Sequence, residues 1–294
     1  MDDLLKDGHS LLSETGQADG IDRRDFLTVA LGSGFAAATL PVAAQSLIKT
    51  DATGLSAGTV GVVVGGQTVP VYRAQPDGKS NLPVILVVSE IFGVHEHIAD
   101  VARRYAKQGY LALAPALFVR QGDPGMAASV AEVMKEIVSK TPDRQVMADL
   151  DAVVAWAANN GGNVDKLGIT GFCWGGRITW LYAAHNPRVK AGVAWYGRLV
   201  GESSPITPRH PVDVAPTLTA PVLGLYGGKD SGIALESIET MKAALAKGGA
   251  KSAFVVYPEA GHAFNADYRP SYVETAAKDG FGRSLAWFRE NGVI

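Results

Sequence analysis

The sequence predicts an α/β fold in which a mainly parallel central sheet is flanked by helices on both faces. Three observations predict it. Short apolar runs alternate with longer helical patterns along most of the chain. The run Val84–Ser89 is almost wholly Val, Ile and Leu, as a strand buried on both faces requires. The 294 residues are 47% hydrophobic and 19% charged, enough for one large core.

The elements follow in order. Thr59–Val64 and Gln67–Tyr72, joined by Gly65-Gly66, read as an opening hairpin. Val84–Ser89 is a strand, Ile98–Gln108 a helix, and Tyr110–Ala114 the next strand. Met126–Ser139 and Arg144–Ala158 read as helices. Lys166–Thr170 is a strand, followed by the helix Arg177–His185. Ala191–Tyr196 and Pro221–Tyr226 are strands. Between them Ser203–Pro216, with Pro205, Pro208, Pro211 and Pro216, reads as an irregular loop. Ile233–Lys247 is a helix, Ala253–Tyr257 the last strand and Tyr272–Glu290 the closing helix. No internal repeat is visible.

Residues 1–50 read as a leader and 51–294 as a single domain. Asp22-Arg23-Arg24-Asp25-Phe26-Leu27 precedes a mild apolar run, Val29 to Leu40, and then Pro41-Val42-Ala43-Ala44-Gln45. Basic, apolar and small residues in that order form an export signal. The paired arginines resemble the twin-arginine type. The run is too short for a membrane span, which needs ~20 residues. The expectation is export by twin-arginine machinery, cleavage by signal peptidase near Ala44, and a mature protein in the periplasm or outside the cell.

The formal net charge is −2, with no basic stripe, so nucleic acid is not an expected partner and a small organic molecule is. One cysteine, Cys173, excludes an intramolecular disulfide and a cysteine-rich zinc site. His95 and His97 form an H-x-H pair with Glu96 between and Asp100 beyond, but no partner motif accompanies it. No metal or other cofactor is expected.

The chemistry concentrates in Gly171-Phe172-Cys173-Trp174-Gly175-Gly176, between a strand and a helix. This is G-x-C-x-G, the cysteine form of the nucleophile elbow. A nucleophile on so sharp a turn needs a strained backbone, and side chains two residues either side would collide. The helix amino terminus beneath Cys173 favours a thiolate, and the N–H of Trp174 can face a developing oxyanion. A phosphate-cradling reading is poorer, because no Lys-Ser/Thr follows the glycines.

In α/β-hydrolases an acid and then a histidine follow the nucleophile, each after a later strand. Asp230, in the exit loop Gly227-Gly228-Lys229-Asp230, fits the acid; Glu236 and Asp267 are weaker substitutes. His262, in the exit loop Pro258-Glu259-Ala260-Gly261-His262, fits the base. Ser231 reads as a neighbour of the acid. All three positions fall at carboxyl ends of strands, where ligands sit in such sheets.

With these motifs, Ser89-Glu90-Ile91-Phe92-Gly93 and Gly261-His262-Ala263-Phe264 complete a resemblance to the dienelactone hydrolase family, carboxymethylenebutenolidase-like, over nearly all of residues 51–294. The resemblance implies an α/β-hydrolase fold and cleavage of a small ester or lactone through a thioester acyl-enzyme. It implies that Glu90 helps to activate the thiol and that the N–H of Ile91 is the second oxyanion donor. The family's dienelactone enzymes hold a substrate carboxylate with arginines, one of them where this chain has Ala266. Arg269 is the nearest arginine here; Arg120 and Arg144 are the other candidates. Phe92, Tyr196 and Arg269 are the expected pocket residues, and the ring of Trp174 could join them. A thioesterase or small-peptide hydrolase on the same scaffold, or an inactive periplasmic binding protein, are the alternative readings.

Overall fold

The computed structural model describes residues 48–294. The expected export signal and the expected cleavage site near Ala44 lie outside the described residues.

Eight strands form one sheet in the order β1-β2-β4-β3-β5-β6-β7-β8. β1 (Leu55–Val64) and β2 (Gln67–Pro76) are the expected hairpin, longer at its open end and turning at Gly65-Gly66, both at positive φ. β2 runs antiparallel to β4 (Leu111–Pro115). From β4 onward the pairs are parallel: β3 (Leu82–Val88), β5 (Gly162–Phe172), β6 (Val189–Trp195), β7 (Val222–Gly227) and β8 (Ala253–Tyr257). The expected mainly parallel sheet is therefore present, with an antiparallel edge.

The longer helices are α1 (Glu96–Lys107), α2 (Asp143–Ala158), α3 (Trp174–His185), α4 (Leu235–Leu245) and α5 (Glu274–Glu290). Parallel neighbours need a crossover, and these helices supply it across the faces of the sheet. The result explains the apolar runs. Val84 to Val88 on β3 have no solvent exposure, because helices cover both sides.

Two expectations need correction. The helix read over Met126–Ser139 is four short pieces: Pro124–Met126, Val130–Glu132, the wide-turned Val133–Ile137 and Val138–Lys140. Asp123 caps a short turn that ends at Met126, and Ser129 caps a new start inside the expected span, so the pattern is broken by its own capping residue. The stretch read as a loop over Ser203–Pro216 holds a short helix, Pro211–Val214, started by Pro211 and by Asp213 accepting from the His210 N–H.

Every strand from β3 to β8 points its carboxyl end to one rim. Glu90, Cys173, Tyr196, Asp230 and His262 follow β3, β5, β6, β7 and β8 respectively. Parallel pairing brings residues from five separated stretches of sequence to one edge.

Candidate active site

Cys173 stands between β5 and α3 with φ 54 and ψ −115. A non-glycine residue adopts that conformation only under constraint from its surroundings. The constraint is visible. A Cβ on Gly171 would lie 2.1 Å from the Gly175 carbonyl oxygen, and one on Gly176 2.5 Å from that of Trp195. The backbone N–H of Cys173 donates to the Trp195 carbonyl at 3.0 Å. Tyr196 (φ 37) and Ala263 (φ 59) are strained likewise. Three of the four non-glycine residues with positive φ among the described residues thus lie at this rim.

Beneath the elbow, Arg177 makes two 2.7 Å bonds to the Asp143 carboxylate, tying α3 to α2. Its Nη2 also donates to the Arg209 carbonyl. Trp174 opens α3, so its N–H is among the first-turn donors that no intrahelical carbonyl can satisfy. The Trp174 ring packs on Phe118, with centroids 4.6 Å apart.

His262 Nδ1 lies 2.7 Å from Asp230 Oδ2, and the imidazole is fully buried. Asp230 is aimed by its own loop: the N–H groups of Gly232 and Ile233 donate to Oδ1 at 2.9 and 3.2 Å. With Nδ1 donating to the carboxylate, Nε2 is the nitrogen left over, buried without a hydrogen bond of its own, and the ring interacts with Cys173. Burial opposes the charged imidazole, but Asp230 and Cys173 together outweigh it and hold His262 well above the ordinary imidazole range. A thiolate–imidazolium pair is what such an arrangement stabilises.

Glu90 is buried at the end of β3. Its Oε1 accepts from the Tyr196 hydroxyl at 3.4 Å, and its Oε2 accepts from the Tyr268 hydroxyl. Arg269 lies close by, its guanidinium 4.7 Å from the centroid of Phe92 and 5.3 Å from that of Tyr268. Burial works against the Arg269 charge, but Tyr268, Glu90 and Cys173 raise its pKa further. Its Nε is buried with no hydrogen-bond partner among the described residues.

The residues singled out in the sequence converge: Cys173, His262 and Asp230 form one chain of contacts, and Glu90, Tyr196, Phe92 and Arg269 lie beside it. Others fall elsewhere. Asp267 accepts from His97 at 2.8 Å and from Arg104 and the Ile48 N–H, so it is engaged away from His262. Glu236 is exposed at the start of α4. Arg120 is paired with Asp149 through two bonds, and Arg144 lines a surface groove of about 350 Å³ beside α2 and α3. Among the described residues no group of three His, Cys, Asp or Glu side chains could hold a metal ion.

Sequence reasoning missed Tyr268, although it lies six residues beyond His262 in the same loop. It also missed the His97–Asp267 pair, which joins residues 170 positions apart.

Comparison with known proteins agrees with this architecture. Residues 69–292 match the model of the dienelactone hydrolase family. A Methylorubrum extorquens protein named "Putative carboxymethylenebutenolidase" is 59% identical over 274 residues, covering 93% of this chain and 94% of that one. The crystal structure titled "Putative Dienelactone Hydrolase" from Klebsiella pneumoniae superposes with a TM-score of 0.79 at 58% identity, covering 80% of this chain and 99% of that one. An esterase structure at 14% identity, TM-score 0.65, covers 98% of this chain and 97% of that one and shares the fold alone.

Proposed function

The chain belongs to the dienelactone hydrolase family, and from that premise we propose that it hydrolyses a small ester or lactone with Cys173 as nucleophile, His262 as base and Asp230 as orienting acid. The observation that carries this is the buried His262, bonded to Asp230 on one side and interacting with Cys173 at the strained elbow on the other.

The steps follow from the geometry. His262 Nε2 holds the thiol proton, and Asp230 stabilises the imidazolium. The thiolate attacks the substrate carbonyl, and its oxygen gains negative charge opposite the N–H groups of Ile91 and Trp174. Collapse of the tetrahedral intermediate breaks the C–O bond. The leaving oxygen takes the proton from His262, and the acyl group stays on sulfur as a thioester. In a lactone both products remain one molecule. Water then attacks the thioester with His262 as base, and the free acid departs while the proton returns to the site. Glu90, which shares Tyr196 and Arg269 as neighbours with Cys173, assists removal of the thiol proton. Arg269, over Phe92 with an open Nε donor, supports a substrate bearing a carboxylate. Phe92 and Tyr196 line the same pocket.

A panel of lactones, aryl esters and alkyl esters, with and without a carboxylate, tests the reading. The mature protein shows turnover on its preferred member, Cys173→Ala shows none, and Cys173→Ser loses most activity. Iodoacetamide inactivates, and a substrate analogue protects. Full activity after complete alkylation of Cys173 would refute the mechanism.

We read the segment before about residue 45 as a twin-arginine export leader. Export is tested by fractionation. Replacing Arg23 and Arg24 with lysine leaves the chain inside the cell, whereas unaltered periplasmic recovery of that variant would refute it.

A further inference from the structure

Tyr268 is set with unusual care for a residue outside the Cys173–His262–Asp230 chain. Its neighbour Asp267 is held from three sides: His97 Nδ1 at 2.8 Å, Arg104 Nη2 at 3.4 Å, and the Ile48 N–H at 3.0 Å. The Tyr268 ring lies against His95, with centroids 4.9 Å apart edge to face, and against His97 at 5.4 Å. The Arg269 guanidinium sits on the same ring. The only polar atom of this clamped side chain donates to Glu90. Burial, and then the nearby Glu90 carboxylate, push the Tyr268 phenol well above its ordinary value, so it remains a proton donor.

Each oxygen of Glu90 thus receives one phenol, Tyr196 on Oε1 and Tyr268 on Oε2. Tyr196 follows β6 and serves the site from one side. Tyr268 reaches over from the loop that carries His262. A carboxylate has about four acceptor directions, so both oxygens keep a second one open.

We propose that Tyr268 is a positioning residue for the reaction: its clamped hydroxyl fixes the Glu90 carboxylate in the orientation from which that carboxylate assists Cys173. The inference rests on the Cys173 reading above and deepens it. The groups facing Glu90 are Tyr196 after β6 and Tyr268 and Arg269 from the His262 loop, and Cys173 acts on the same Tyr196 and Arg269. Those facing Tyr268 from the other side are His95 and His97.

The test is a double-mutant cycle on the mature protein with Tyr268→Phe, Glu90→Gln and both together. Phenylalanine keeps the ring against His95 and His97 and removes only the hydroxyl. Two readouts are taken: kcat/KM on an aryl ester, and the pH profile of Cys173 alkylation by iodoacetamide. Tyr268→Phe is expected to lower kcat/KM about 10-fold, the scale of one hydrogen bond to a charged group. It is also expected to move the acid limb of the alkylation profile. The double variant is expected to match Glu90→Gln alone, because a residue acting through Glu90 has nothing to orient once the carboxylate is gone. Full additivity of the two losses, or an unchanged profile in Tyr268→Phe, overturns the proposal. Thermal unfolding of each variant separates a folding defect from these outcomes: a folding defect would add to the effect of Glu90→Gln. If alkylation leaves the unmodified enzyme fully active, the Cys173 reading falls and the proposal with it. If alkylation still inactivates but the losses add, the proposal falls alone.

Discussion

Replacing Gly175 with alanine tests how closely the elbow must approach its neighbour. A Cβ there would lie 2.4 Å from the Val88 carbonyl oxygen and 2.5 Å from that of Ser89. Both atoms are backbone, so no side chain can rotate away. Ordinary contact begins near 3.4 Å, so helix and strand must part by about 1 Å. The separation falls in a sensitive place. On one side is the first turn of α3, with Cys173 and the N–H of Trp174; on the other is the end of β3, with Glu90 and the N–H of Ile91. A misplacement of about 1 Å between reacting groups costs about 100-fold in rate. The same overpacking is expected to cost about 1–3 kcal/mol of stability. Steady-state kcat/KM on the best ester of the panel, with a thermal melt on the same sample, measures both. Gly282→Ala is the control, because that exposed helical position has open space around it, and alanine there is neutral or slightly stabilising. A folded Gly175→Ala variant with kcat/KM within about two-fold of the parent would refute the argument that this contact sets the donor geometry.

Three further outcomes are expected. Asp230→Asn keeps the fold but loses about 1,000-fold or more in kcat/KM, because an amide cannot stabilise the imidazolium; a loss under about ten-fold would contradict the role of the acid. Arg177→Met leaves the Asp143 carboxylate buried without its partner and lowers unfolding free energy by about 3–5 kcal/mol, as urea titration would measure; a change below about 1 kcal/mol would show the pair to be dispensable. The third concerns acid. Burial, with repulsion from His97 and Arg269, holds His95 well below the ordinary imidazole range, so the unfolded chain takes up this proton more readily than the folded one. Stability linked to His95 is therefore intact above about pH 6.5 and declines as pH falls below it, by at most about 1.4 kcal/mol per pH unit. His95→Gln flattens that slope in denaturation curves taken at successive pH values, and an unchanged slope would refute the assignment. His262 runs in the opposite sense: its pKa is raised, so its contribution is present at low pH and is lost as pH rises through the folded value.

Much of the molecule was legible because its signals are local. The apolar run of β3, the glycine turn of the hairpin and the strand–turn–helix around Cys173 are each set by neighbouring residues. Once strand order is granted, the exit-loop rule brings Asp230 and His262 to the same rim. What was not legible depends on tertiary placement. Nothing adjacent to Arg177 shows that its partner is Asp143, 34 positions away. The His97–Asp267 bond likewise forms only when α1 packs beside the His262 loop. This is why Asp267 looked like a spare acid. Tyr268 could have been inferred by asking which polar side chains in the exit loops face the buried Glu90. The broken helix over 124–140 carried its warning in Ser129, a cap former within a pattern otherwise read as continuous, and in Asp123 just before it.

The bond from the Cys173 N–H to the Trp195 carbonyl continues the pairing of β5 and β6 one residue beyond the strand. Cys173 is thus tied by its backbone to the end of the central sheet rather than carried on a free loop. Warming the enzyme should not loosen this corner ahead of the rest. Heat inactivation and cooperative melting are expected to coincide at one temperature, with no inactive yet folded form between them.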